Sequence, residues 1–280
     1  MGIVGNVFLL IIKFVVALFS HSQALIADAI NSAGDIFSSL MTYIGNKIAC
    51  VPSDDDHNFG HGKAEYIFSM LISIFMFFIA AKILVDSIIS VVTKQEFIFS
   101  FYLVTVCIVT ILVKLGLYLY AKKLYKSHAN ILIKASMKDH RNDMLLTFGT
   151  LISVMLGYFG IYFVDGVIGA AISVYILFSG LSIFLESYKI LMDVSLDKNE
   201  VKEIVEFIKS KKNVLGVSNF HTVATGYKYV AILTIDVDGY LDTFSSHKIA
   251  DDLEKDIAAK YRTIYRAIIH VNPIKVNRDK

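Results

Sequence analysis

The sequence of 280 residues has no tryptophan, two prolines and two cysteines, and only 19% of its residues are charged. Each shortage removes a class of protein. Cys50 and Cys107 stand far apart in apolar surroundings, so no disulfide framework is expected and both read as small buried hydrophobes. Pro52 and Pro273 both fall outside the long apolar runs, which are therefore free to form uninterrupted helices. A formal net charge of +2 leaves no basic excess able to hold a polyanion, and nucleic acid is not an expected partner. No GxxxxGK[ST] phosphate loop occurs, so nucleotide is not an expected fuel. No basic stretch precedes the apolar run that starts at Ile3, which argues against a cleaved signal peptide.

What the chain does have is apolar surface, at 55% hydrophobic residues and a mean hydropathy of +0.60. Charge is spread unevenly over it. Residues 1–192 carry 25 charged side chains and the 88 residues that follow carry 27. The first segment suits lipid and the second suits water, a division that excludes disordered and collagen-like classes. The expected domains are therefore 1–192, a transmembrane domain, and 193–280, a small domain in water.

A helix needs about 20 apolar residues to cross the hydrocarbon core. Six stretches qualify: 3–19, 24–48, 66–92, 97–120, 131–157 and 162–185. Orientation follows from lysines near span ends. Lys122, Lys123, Lys126, Lys134 and Lys138 cluster between spans four and five, whereas the connections on the other side hold only Lys94. The lysine-rich side is expected in the cytoplasm, which places both termini and the charged tail there as well. The tail reads as a ferredoxin-like α+β unit of order α-β-β-α-β. Val201, Ile204, Val205 and Ile208 recur at helical spacing, Tyr229 to Val237 alternate as a strand does, and Thr225-Gly226 marks the turn before it. So short a domain is marginal alone, and dimerisation would help it.

Ionisable groups inside a span cost roughly 2.5–3.5 kcal/mol each on insertion scales, so each requires a partner or a function. Asn31 and Asp35 in span two, and Asp139 and Asp143 in span five, are two pairs at i, i+4 spacing, each sharing one helix face. If those faces meet, three carboxylates and an amide can bind one cation. Such hard oxygen ligands suit Mn²⁺, Mg²⁺ and Ca²⁺ and tolerate Fe²⁺, with Mn²⁺ preferred, whereas Zn²⁺ sites usually include His or Cys. His140 is expected to point about 100° away from the pair. Repulsion among the carboxylates lets protons replace the ion, a basis for metal/proton exchange. Asp28 is a candidate lining residue near the outer mouth. Lys13, Lys82, Asp86, Lys114, Asp165 and Glu186 are expected to snorkel or pair. The loop PSDDDHNFGHGKAE adds Asp54, His57 and His61, the ligand types of a divalent transition metal, beside the flexible Gly60 and Gly62.

Six spans, paired ligands on spans two and five, the HNFGHGKAE loop and an α-β-β-α-β tail together resemble the cation diffusion facilitator family of divalent-metal transporters. The resemblance implies a homodimer in a prokaryotic inner membrane, proton antiport, alternating access and the transport site Asn31, Asp35, Asp139 and Asp143. It implies no enzymatic activity and no cofactor, the metal being the substrate. Asp139 and Asn31 resemble the manganese-exporting branch, while Zn²⁺, Fe²⁺, Co²⁺ and Cd²⁺ remain alternative cargoes. The resemblance also implies a second metal site at Asp54, His57 and His61, and an ion pair of Lys63 with Asp193. In the tail, Ser218, Thr234 and Asn272 stand where zinc-binding members have ligands. Only His247 and His270 are kept, with His221 as a further weak candidate. A passive channel and an intramembrane metalloenzyme are the readings from other classes.

Overall fold

In the computed structural model the backbone is described for residues 2–20, 23–93, 101–158 and 163–275, and side chains for the same residues except 17–20, 23–31, 33, 103, 153–154, 157–158 and 163–165. The chain divides into two compact units, one of residues 1–50 with 64–188 and one of residues 51–63 with 189–280. The loop 51–63 therefore belongs with the tail.

The first unit contains six helices: α1 (Gly2–Ser20), α2 (Gln23–Ala49), α3 (Ala64–Thr93), α4 (Phe101–His128), α5 (Ile131–Tyr158) and α6 (Phe163–Leu191). Among the described residues, three segments are long and apolar enough to cross a membrane: Ala64–Thr93, Val104–His128 and Gly166–Leu191. The composition of α5 explains why it falls short. Between Lys134 and Asp143 alone, α5 carries five charged side chains. The lysines read as a connecting loop are helical, since only Ala129 and Asn130 separate α4 from α5. Asn130 caps α5 by accepting from the Leu132 N–H at 2.7 Å. Ile72, Met76 and Ala80 of α3, Leu132 and Ala135 of α5, and Ile176 and Ile183 of α6 form one buried cluster. Small residues bring α6 onto α3: a Cβ added at Gly169 would lie 2.2 Å from Ser87 Oγ.

In the second unit, α7 (Lys198–Lys209), β1 (Gly216–Ala224), β2 (Tyr229–Asp238), α8 (Thr243–Lys260) and β3 (Ile264–Ile274) follow in the expected order. The sheet has strand order β1-β2-β3, with β2 antiparallel to β1 and parallel to β3. Period-two alternation sends Ala231, Leu233, Ile235 and Val237 of β2 inward, where they meet Ile204 and Ile208 of α7 and Leu253 and Ile257 of α8. Asp197 and Asp242 cap the two helices through their carboxylates. Cys107 is buried, but Cys50 is exposed just beyond the end of α2, contrary to the expectation that both would be core residues.

Candidate metal centre

Asp35 on α2 and Asp139 on α5 are buried, with 3% and 5% of their surface exposed, and Asp143 lies one turn beyond Asp139 and is partly open. Helical spacing puts both α5 carboxylates on one face. Asn31 lies one turn before Asp35, and its side chain, like that of Asp28, is outside the described residues. The Ser38 hydroxyl bonds Asp139. Asn6 of α1 donates to the Asp35 carbonyl at 2.9 Å and to Ser39 Oγ at 2.8 Å, fixing α1 against this part of α2.

Two side chains enter the cluster that the sequence did not place there. Lys114 of α4 donates to Asp35 Oδ2 at 2.7 Å and to Asp143 Oδ2 at 2.6 Å. As the midpoint of the 28-residue α4 it lies roughly 20 Å from either end at about 1.5 Å per residue, far beyond the reach of a snorkelling lysine. Depth in the span was the signal. Lys13 of α1 is buried too and acts on Asp35 through its charge. His140 is the other addition. Its ring does not turn away: Asp139, His140 and Asp143 each bring one ligand atom within 4.8 Å of the others. The ideal-helix estimate assumed side chains radiating straight outward, whereas an imidazole spans part of the angle between neighbouring positions.

A cavity of about 440 Å³ opens beside His140, lined by Ser39, Thr42 and Asn46 of α2 and by Ser136 of α5. It lies towards the end of the unit where α2 and α4 finish and α5 begins, the end that carries Lys122, Lys123 and Lys126.

The loop assembles the second cluster found among the described residues. Asp54, His57 and His61 bring ligand atoms within 4.8 Å of one another. The His57 backbone N–H donates to Asp54 Oδ1 at 2.6 Å and holds that carboxyl below the usual carboxylate range. His57 Nδ1 lies 3.2 Å from Asp54 Oδ1, and His61 Nε2 lies 3.5 Å from Oδ2. His61 Nδ1 lies 3.3 Å from the Pro52 carbonyl oxygen, and in the tautomer that donates this bond Nε2 carries the lone pair that a metal would take. Gly62 seats the loop on the β1–β2 turn, because a Cβ there would lie 2.7 Å from the Thr225 carbonyl oxygen. Lys63 donates to Asp193 Oδ1 at 2.7 Å, with both side chains partly exposed, a pair worth about 0–1 kcal/mol. Replacing both His57 and His61 by Ala should remove one Zn²⁺-binding equivalent in equilibrium dialysis. An unchanged stoichiometry would show the cluster to be only an acidic turn.

In the tail, the Ser218 hydroxyl and the Asn272 amide both donate to Asp236 at 2.7 Å and hold its carboxyl below the usual range. Protein donors thus satisfy that carboxylate. His221, His247 and His270 are exposed, and none belongs to a three-ligand cluster among the described residues; His247 lies 3.6 Å from Asp251.

Residues 1–192 match the cation efflux transmembrane domain, and residues 196–274 match the cytoplasmic domain of cation efflux proteins. This is a membrane protein of the cation efflux class. The chain belongs to the cation diffusion facilitator family. It is 25% identical over 279 residues to the manganese efflux system protein MneP of Bacillus subtilis, covering 97% of this chain and 94% of that one. The cation-efflux pump FieF of Shewanella oneidensis is 26% identical, covering 96% of this chain and 90% of its own length. The magnetosome protein MamM of Magnetospirillum gryphiswaldense is 26% identical, with coverage of 94% and 83%.

Proposed function

We propose that this chain exports Mn²⁺ from the cytoplasm in exchange for H⁺, binding the ion at Asn31, Asp35, Asp139 and Asp143. The observation that carries this reading is the approach of Asp139 and Asp143 of α5, whose ligand atoms lie within 4.8 Å of each other, to Asp35 of α2, which Lys114 bridges to Asp143. Hard oxygen ligands suit Mn²⁺, and a relative along nearly the whole chain is named as a manganese efflux protein. The cavity beside His140 supports access from the lysine-bearing end, which the positive-inside rule assigns to the cytoplasm. On this reading all six helices span a prokaryotic inner membrane, both termini are cytoplasmic, and the tail joins two copies as a homodimer. Asp54, His57 and His61 form a second metal site, and the Lys63–Asp193 pair braces the loop.

Exchange follows from charge. Three ionised carboxylates in a site of low dielectric repel one another, and protons relieve the repulsion when the metal leaves. Alternating access then carries the metal one way and protons the other. One observation favours a second cargo: the imidazole of His140 lies within reach of Asp139 and Asp143, and a nitrogen ligand suits Zn²⁺.

The test is Mn²⁺ uptake into proteoliposomes holding the full chain under an imposed pH gradient. Uptake should saturate with Mn²⁺ and stop when an ionophore collapses the gradient. Flux that ignores the gradient and does not saturate would favour a passive channel.

A further inference from the structure

The Lys114 ammonium and an incoming divalent cation need the same oxygens. Lys114 Nζ lies 2.7 Å from Asp35 Oδ2 and 2.6 Å from Asp143 Oδ2, one carboxylate from each helix that supplies the cluster. The lysine side chain is 1% exposed and that of Asp35 4%, so water does little to weaken either bond. A divalent ion takes carboxylate oxygens at roughly 2.0–2.6 Å, and an ammonium already bonded to those atoms would be crowded and repelled by it.

We infer that Lys114 is a tethered competitor of the transported metal. It binds Asp35 and Asp143 and ties α4 to α2 and α5, and the metal must displace it to gain both carboxylates. This inference rests on the proposed transport site. Its consequence is a lowered apparent affinity, because only the fraction of molecules whose carboxylates are free of Lys114 can accept the ion. An efflux protein gains from that. The returning ammonium acts beside the protons that replace the metal, and offers a route to expel it that needs no new ligand. Lys114 also keeps a positive charge against the cluster, which the bare count of three carboxylates against one divalent ion leaves out.

The experiment measures Mn²⁺ binding to the purified full chain by equilibrium dialysis at mildly alkaline pH, where protons compete least. Lys114→Met should bind Mn²⁺ more tightly than the unaltered chain, by about tenfold or more. Lys114→Arg, which keeps the charge, should show no gain. A lysine needed only for packing would lose affinity when replaced, so a gain shows that the ammonium opposes the metal, and labelling of the unaltered chain tells displacement from repulsion by a fixed charge. Asp143→Asn separates the two claims. If it still binds as the unaltered chain does, the transport site itself is misplaced. If it loses binding while Lys114→Met binds no more tightly, only the competitor is overturned. Should Lys114→Met fail to fold, the unaltered chain decides through reductive methylation read by mass spectrometry. Saturating Mn²⁺ should increase labelling of Lys114, and equal or decreased labelling would overturn displacement.

Discussion

Replacing Asp143 by Asn should reduce gradient-driven Mn²⁺ flux to that of empty vesicles, and Asp35→Asn should do the same. Asn preserves the shape and one oxygen of the side chain but removes the charge that binds a divalent ion. Even groups that only orient a metal's ligands cost 10–100-fold in affinity when lost, so loss of a ligand carboxylate should cost on the order of a hundredfold or more. Burial sharpens the effect, since Asp35 has 3% of its surface exposed and little water reaches it to substitute for the missing oxygen. Lys114 makes the experiment informative about alternatives. It bonds both carboxylates, so either substitution leaves it one negatively charged partner of the two. If these acids existed only to neutralise a buried lysine, each variant would unfold more easily while its folded fraction transported normally. Flux normalised to protein that elutes as a single species from a sizing column, set beside a thermal unfolding curve, distinguishes the two. Undiminished normalised flux would remove these residues from the transport site.

The long-range plan of the chain was readable because lipid and water impose opposite compositions. The six apolar stretches each fell on a helix of the first unit, although among the described residues only three of those helices are long and apolar enough to cross a membrane, and period-two alternation in Tyr229 to Val237 marked the central strand of the second. Pair spacing put Asp139 and Asp143 on one face, because helix geometry alone decides that. Lys114 was harder. Its charge was visible, but only the packing of α4 against α5 turns a lone lysine into a partner for carboxylates on two other helices. Asn6 escaped for a related reason, as a buried amide on α1 whose two acceptors lie on α2. The loop illustrates the converse. Its ligand types were plain in the sequence, yet its place in the second unit depends on close backbone contact between Gly62 and the Thr225-Gly226 turn, which no local pattern encodes.

Asp139→His should move cargo preference from Mn²⁺ towards Zn²⁺. Asp139 is 5% exposed and receives a hydrogen bond from Ser38, so a new side chain at that position cannot turn to solvent and must face the cluster. An imidazole there exchanges a hard oxygen for a nitrogen ligand, beside His140, whose ring already lies within 4.8 Å of the Asp143 ligand atom. Two nitrogens and two carboxylates suit tetrahedral Zn²⁺ better than the higher, oxygen-rich coordination of Mn²⁺. The ratio of Mn²⁺ to Zn²⁺ uptake in competition should fall by roughly tenfold or more, the scale on which changes around a metal alter its binding. Extra volume at a buried position costs about 1–3 kcal/mol, which should lower the unfolding temperature without changing the ratio, so stability and selectivity separate as readouts. His140→Asn supplies the complementary arm. If His140 is a ligand, Zn²⁺ uptake should fall more than Mn²⁺ uptake, and the Asp139→His shift should shrink when the two changes are combined. An unchanged Mn²⁺ to Zn²⁺ ratio in Asp139→His would mean that selectivity is set elsewhere, by the shape or hydration of the path rather than by the ligand atoms.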